Sequence, residues 1–175
     1  MNFNFTPFPL IETERLRLRE LTFEDVETIY NLRTYKKINQ YITRNIPKNL
    51  SEANQFIQMI LELVAKNKAV LWVIDLKETN QLIGTIGLRH FDVAPDYAEI
   101  GYELNPDFQQ KAFMSEALES VLHFGFQTLH LKTIEAITHK NNMASIALLK
   151  KYLFVFQAQK RDKGFKNNRI FQRTN

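Results

Sequence analysis

Residues 98–118 read Ala98-Glu99-Ile100-Gly101-Tyr102-Glu103-Leu104-Asn105-Pro106-Asp107-Phe108-Gln109-Gln110-Lys111-Ala112-Phe113-Met114-Ser115-Glu116-Ala117-Leu118. This is an alternating strand, a loop punctuated by a proline, and the opening of an amphipathic helix. A strand that feeds a helix through such a loop presents the helix's first free N–H groups, and the positive end of its dipole, at the strand's carboxyl end. That is a place for a phosphate.

Outward from this junction the pattern is regular. Upstream, Val70–Leu76, Leu82–Phe91 and Tyr97–Leu104 read as strands separated by short polar turns at Lys77–Gln81 and Asp92–Asp96, which predicts an antiparallel meander. Ahead of them, residues 14–21 alternate strictly, with Leu16, Leu18 and Leu21 inward and Arg15, Arg17 and Arg19 forming what reads as a solvated strand face. Two helices lie between, one capped at Thr22 and fading near Tyr35, the other opening at Ser51 with Phe56, Ile57, Ile60, Leu61, Leu63 and Val64 at helical spacing. Downstream, Met114, Ala117, Leu118, Val121, Leu122 and Leu129 make one stripe of period 3.6. A strand at Lys132–Thr138, a helix at Asn142–Tyr152 with Ile146, Leu149 and Leu153 inward, and a closing pair at Phe154–Gln159 and Arg169–Arg173 complete the chain. The order β-α-α-β-β-β-α-β-α-β-β predicts an α+β domain over residues 1–175, with a mixed, mostly antiparallel sheet of about seven strands and helices on both faces.

Composition narrows the chemistry. The 175 residues contain no cysteine, which removes thiolate nucleophiles, disulfides and Cys-ligated zinc. Four histidines show no metal-binding spacing, and no Gly-x-Ser-x-Gly, Walker or dinucleotide fingerprint occurs. No metal is expected. The N-terminus carries no basic segment and no long apolar run, so the expectation is a cytoplasmic protein with no membrane partner. A net charge of +4 on this length is a mild excess that does not imply nucleic-acid binding, and the basic stretch Lys160–Lys166 reads as a hairpin turn. With only five glycines there is little for a long phosphate-wrapping loop, so an anion site rests on a helix end.

Four segments in order, Glu12–Arg19, Ile83–Leu88, Ala98–Met114 and Asn142–Phe154, resemble the GNAT superfamily of acyl-CoA-dependent N-acyltransferases, and most closely its RimJ/RimL-like branch, which acetylates protein N-termini. The resemblance implies transfer of an acetyl group from acetyl-CoA to a primary amine by direct attack, without a covalent enzyme intermediate. The closest branch implies a protein N-terminal α-amino group as the acceptor, with small amines such as polyamines, amino acids or drugs as the alternative between which the sequence does not choose; a non-catalytic acyl-CoA-binding module is the competing class, and homodimerisation is an expectation of the family. The resemblance further implies a bulged fourth strand that splays from the fifth, with the pantetheine arm in the gap beside Tyr102, Glu103 and Leu104. Its pyrophosphate loop falls on Gln109, Gln110, Lys111, Ala112, Phe113 and Met114, with Ser115 following, where Ala112 and Met114 replace the usual small residues. Asn142 and Ser145 head the helix that flanks the thioester, although Asn142 also serves as a plain N-cap. The family often places a tyrosine at the position of Leu149 and Gly-Phe where this chain has Leu153-Phe154, so the acid for the departing thiolate is left open.

Attack on a thioester requires a neutral amine, and a carboxylate near the acceptor suffices for an α-amino group. Glu99 and Glu103 share one face if alternation is unbroken, roughly 13 Å apart at about 3.3 Å per residue. The resemblance, through the Ala98-Glu99-Ile100-Gly101-Tyr102 pattern common in the family, implies Glu99 as the first candidate for the base and Glu103 as the second, while a bulge near Gly101 would turn either one elsewhere. Acceptor identity falls to the first two helices and the segment Tyr35–Pro47 between them.

Overall fold

Leu16 and Leu18 have no exposure at all, so the alternation in the first long strand is a true inside-outside pattern. The computed structural model describes residues 3–91 and 96–175. The strands are β1 (Ile11–Glu12), β2 (Leu16–Glu20), β3 (Ala69–Leu76), β4 (Leu82–Arg89), β5 (Tyr97–Leu104), β6 (Thr133–His139), β7 (Val155–Phe156) and β8 (Asn168–Thr174). They form one sheet in the order β1-β2-β3-β4-β5-β6-β8-β7. The seven expected strands are present, and β1 adds a two-residue edge piece too short to show a period. β3 through β5 run as the predicted antiparallel meander and β2 adds to it antiparallel to β3, whereas β5 and β6 are parallel. The turn expected at Asp92–Asp96 falls largely outside the described residues.

Helices cover both faces. α1 (Val26–Thr34), the single turn α2 (Lys36–Asn39) and α3 (Leu50–Ala65) precede β3, α4 (Phe113–His123) follows β5, and α5 (Met143–Lys151) follows β6. Alternation assigns the sheet's two faces. Trp72, Ile86, Leu88, Ile100, Ile134 and Ala136 are buried on the α4/α5 side. Gly125, in the wide turn Phe124–Thr128 that extends α4, sits so close to it that a Cβ there would lie 2.8 Å from Ile134 Cδ1. The opposite face carries Thr85, Arg89, Glu99 and Glu103 toward α1 and α3.

Two readings of the sequence are corrected here. The arginine row on β2 is not simply solvated. Arg19 bridges Asp25 at 2.8 Å and Asp75 at 2.6 Å, two carboxylates that are almost fully buried. Arg15 and Arg17 are likewise paired, with Glu116 and Glu12. The sequence conceals this because the partners of Arg15 and Arg19 lie on other elements. Leu153, expected inward, is 72% exposed at a φ of +63°. It ends α5 in the left-handed conformation that glycine adopts freely, which is the position where the family resemblance calls for Gly. Leu153→Gly is therefore expected to stabilise the fold by up to about 1 kcal/mol, seen as a rise in Tm of roughly 2–4 °C.

The expected bulge in β5 is also absent. Its register with β4 runs unbroken from Arg89↔Glu99 to Gly84↔Leu104, and the irregularity lies instead between Ile74 and Asp75 of β3. Glu99 and Glu103 thus stay on one face, as alternation predicts.

Candidate active site

β5 is held by both neighbours for half its length and by one for the rest. Its parallel pairing with β6 covers Tyr97↔Thr133 through Ile100↔Ala136 and stops, while β6 continues against β8 as far as His139↔Asn168. From Gly101 to Leu104 only β4 remains as a partner, so a backbone edge faces an open wedge. The wedge exists without a bulge. On the other edge β4 approaches closely at Gly84, where a Cβ would lie 2.4 Å from the Glu103 carbonyl oxygen.

Tyr102 crosses the wedge on the α4/α5 side, and its hydroxyl lies 2.9 Å from Ser145 Oγ in the first turn of α5. Burial pushes the Tyr102 phenol up to about 12, and the Ser145 contact offsets this only in part, so the phenol is a neutral donor at physiological pH. Asn142 caps α5 by accepting from the Ser145 N–H at 3.2 Å, which fixes the serine in place. Leu149 is core, and the Tyr152 hydroxyl points away to Ser115 and Glu119 on α4. Tyr102 and Ser145 thus place two hydroxyls at the wedge.

The loop ahead of α4 has the backbone geometry of a candidate anion cradle. Gln110 and Ala112 both have left-handed backbone, with φ of +61° and +63°, so successive N–H groups turn inward as a nest. The Glu116 N–H is the first in α4 to bond back, to the Ala112 carbonyl at 3.0 Å, which leaves the N–H groups of the first helical turn free for a ligand. Ala112 adopts the glycine-like conformation at the position where the family pattern has Gly. Gln109 does a different job, because its N–H bonds Pro106 and its side-chain amide bonds the Leu104 carbonyl. Met114 is buried in the core and contributes only backbone to this region. The Ser115 hydroxyl is engaged by Tyr152 at 2.9 Å and Lys151 at 2.6 Å. Lys111 and Phe113 stay at the surface of the loop, Lys111 over the Phe108 ring and Phe113 under Arg15.

Arg15 braces this cradle. Its guanidinium donates to the Lys111 carbonyl at 3.0 Å and to Glu116 at 2.7 Å, and it stacks 4.5 Å from the Phe113 ring. Burial works against the charge on Glu116. The Thr13 hydroxyl and both the backbone N–H and the guanidinium of Arg15 outweigh it, so the Glu116 carboxyl is held below the ordinary range. A groove of about 290 Å³ lined by Arg15, Ala112, Ser115, Glu116, Lys151 and Tyr152, among others, runs beside the cradle. Arg15→Ala is expected to weaken acetyl-CoA binding about tenfold by titration calorimetry, from the loss of charge-assisted bonds that shape the loop. Arg17→Ala, in β2 two residues beyond Arg15 but paired only with exposed Glu12, is the control and changes it little.

On the opposite face the two candidate carboxylates part company. Glu99 lies in the paired half of β5, ion-paired with Arg89 and 3.9 Å from His90 Nε2. Glu103 lies on the splayed half. Its side chain is 8% exposed, Arg44 Nη1 stands 2.7 Å from its Oε2, and the Thr85 hydroxyl is 3.4 Å from its other oxygen. The Arg44 contact is an ion pair off the hydrogen-bonding direction, so Oε2 has no hydrogen-bond donor. Arg44 comes from the segment between α2 and α3, which also stacks Tyr41 on His139 with ring centroids 5.6 Å apart at the far side of the wedge. A larger groove of about 440 Å³, lined by polar groups of α1 together with Asn80, Gln81, Leu82 and Asn105, opens beside the end of β5 rather than in the wedge itself, which the Tyr102–Ser145 contact spans. Arg44 escaped sequence reasoning because no local period marks it, and the alternation around Arg15 shows its face but not its partner Glu116. Among the described residues no group of three or more His, Asp or Glu is placed to hold a metal, and no helix is long and apolar enough to cross a membrane.

Residues 15–155 match the family described as Acetyltransferase (GNAT) domain. The chain is 34% identical over 147 residues to the uncharacterized N-acetyltransferase YoaA of Bacillus subtilis strain 168, covering 84% of this chain and 83% of that protein. Among solved structures it resembles a putative ribosomal-protein-serine acetyltransferase from Vibrio cholerae, with a TM-score of 0.83 at 24% identity and coverage of 97% and 99% of the two chains. It also resembles RimL, a ribosomal L7/L12 alpha-N-protein acetyltransferase in complex with coenzyme A, with a TM-score of 0.82 at 18% identity over 95% and 98% of the chains.

Proposed function

The chain belongs to the acetyltransferase (GNAT) family and is an acetyl-CoA-dependent N-acetyltransferase, and from that premise we propose that its acceptor is an α-amino group at a peptide or protein N-terminus, with Glu103 taking up the proton. The observation that carries the assignment is the position of Glu103 on the splayed half of β5, facing the opposite side of the sheet from Tyr102 and the phosphate cradle. Acetyl-CoA supplies the thioester-bound acetyl group, and the cradle at Gln110–Ser115 together with the free edge of Gly101–Leu104 supplies its seat. The acceptor reaches that seat from the α1/α3 side, so the two substrates meet across a single strand.

The physical chemistry favours an α-amine. Such a group, with a pKa near 8, is partly neutral at physiological pH, whereas a lysine near 10.4 costs about 3 kcal/mol more to deprotonate. One carboxylate already facing Arg44 suits the easier task. The likeness in fold to RimL and to the Vibrio cholerae protein supports the same class of acceptor. For the departing thiolate, the magnitudes decide what Tyr102 does. A phenol at about 12 is a far weaker acid than a thiol near 8.5, so Tyr102 and Ser145 stabilise the thiolate by hydrogen bonding and leave its final protonation to water.

The test is acetyl-CoA-dependent release of free thiol with a panel of N-terminal peptides, polyamines and lysine-only peptides blocked at the N-terminus, with mass spectrometry to locate the acetyl group. Acetylation at the peptide α-amine is the expected product, with kcat/KM rising with pH through about 8. Turnover confined to polyamines or to lysine side chains would overturn the assignment.

A further inference from the structure

On the acceptor side of the sheet two guanidinium groups meet one carboxylate. Arg44 is satisfied: its Nε donates to Asn39 Oδ1 at 2.8 Å and its Nη1 faces Glu103. Arg33, near the end of α1, is not. Its guanidinium lies 3.7 Å from the centre of the Phe56 ring on α3, one Nη reaches only the Asn45 carbonyl at 3.5 Å, and its Nε is buried with no partner. Burial, with Arg44 beside it, pushes Arg33 down to about 10 against the opposing pull of Glu103, so it is still charged at neutral pH. The cluster therefore sums to one positive charge, in a poorly hydrated place next to the carboxylate proposed to receive the amine.

A buried donor left unpaired is costly, and an uncompensated charge more so. An anion brought by the substrate removes both costs, and the Nε edge of a guanidinium is the fork that donates two parallel bonds to a carboxylate. Resting on the reading that the acceptor amine enters beside Glu103, we infer that the acceptor carries a carboxylate a few bonds from that amine, bound by Arg33 against Phe56. Two sources supply this chemistry: an acidic side chain at the first or second residue of a peptide, or the α-carboxylate of a free amino acid. A polyamine brings a second cation to a site that already has one too many.

The experiment compares kcat/KM for matched acceptors: short peptides beginning Ser-Glu, Ser-Gln and Ser-Lys with blocked C-termini, and free glutamate and glutamine against their α-amides. The expected result is a preference of at least about tenfold for the carboxylate-bearing member of a pair, mainly in KM. Whichever pair shows it names the source. Arg33→Gln brings the ratio close to one, and Arg33→Lys restores part of it. A role for Arg33 in packing alone would lower all acceptors together and leave the ratio intact. Equal turnover of acidic, neutral and basic acceptors by the unmodified enzyme overturns the inference while leaving N-terminal acetylation standing, and needs no variant to fold. The two readings separate in the other direction by titrating the acetylated Ser-Glu peptide in the presence of CoA: Arg33-dependent binding without turnover of any amine would sink the catalytic reading and keep the carboxylate site.

Discussion

Glu103→Gln is expected to lower kcat by on the order of 100-fold while leaving acetyl-CoA affinity within a few-fold of the original, since general-base contributions run from about 10² to 10⁴. The substitution keeps shape and removes one charge. It also leaves Arg44 and Arg33 facing each other without a carboxylate, so some loss of stability accompanies the loss of rate. A second variant separates the two effects. Glu103→Gln combined with Arg44→Met removes the orphaned cation and is expected to recover most of the lost Tm without recovering kcat. Recovery of both would show that Glu103 acts through packing and charge balance alone. Glu99→Gln, on the paired half of the same strand and already engaged by Arg89, is expected to cost far less activity.

The largest expected effect on folding is at Arg19. Arg19→Leu leaves the carboxylates of Asp25 and Asp75, whose side chains are 9% and 5% exposed, without their shared cation. Removing one partner of a buried ion pair typically costs about 3–5 kcal/mol, which for a chain of this length corresponds to a fall in Tm of roughly 10 °C. The pH dependence gives an internal check. Burial opposes ionisation of Asp25, but Arg19 and Thr22 outweigh it and hold the Asp25 carboxyl below its ordinary value. A lowered carboxyl contributes stability that is present above its unfolded value of about 3.9 and is lost as the pH falls through the lower folded value. In the variant, protonation instead relieves the exposed conflict, so the difference in Tm between the two proteins is expected to narrow on acidification. A gap that stays constant down to pH 3 would mean that Arg19 contributes by packing rather than by charge.

Much of the fold is legible in the sequence because it depends on local periods. Tyr97–Leu104 begins and ends where alternation places it, and the buried stripe of α4 consists of the residues spaced at 3.6. The site is legible only in part. Its backbone elements follow from the strand-loop-helix junction, but the charges that tune it come from afar. Arg15 reaches a carboxylate 101 residues away, and Arg44 lies in a segment with neither a helical nor a strand period. Alternation tells which residues of β2 face outward, but not that each outward arginine finds an acid. A pattern within one strand ranks Glu99 ahead of Glu103, but it does not show that the two differ in surroundings, which depends on where the neighbouring β6 diverges.

Because side chains alternate along β5, Tyr102 and Glu103 stand on opposite faces of the sheet, which under the proposed function assigns adjacent residues to different substrates. Inserting or deleting one residue between Ile100 and Leu104 would exchange these loyalties at a stroke. The segment that delivers Tyr41 and Arg44 has no such constraint, since it lies outside the sheet and meets the strand through side chains alone. Change in acceptor choice during descent, or by deliberate redesign, is therefore expected to accumulate as length and sequence variation at residues 40–48, while β5 keeps its length and the acyl donor stays the same.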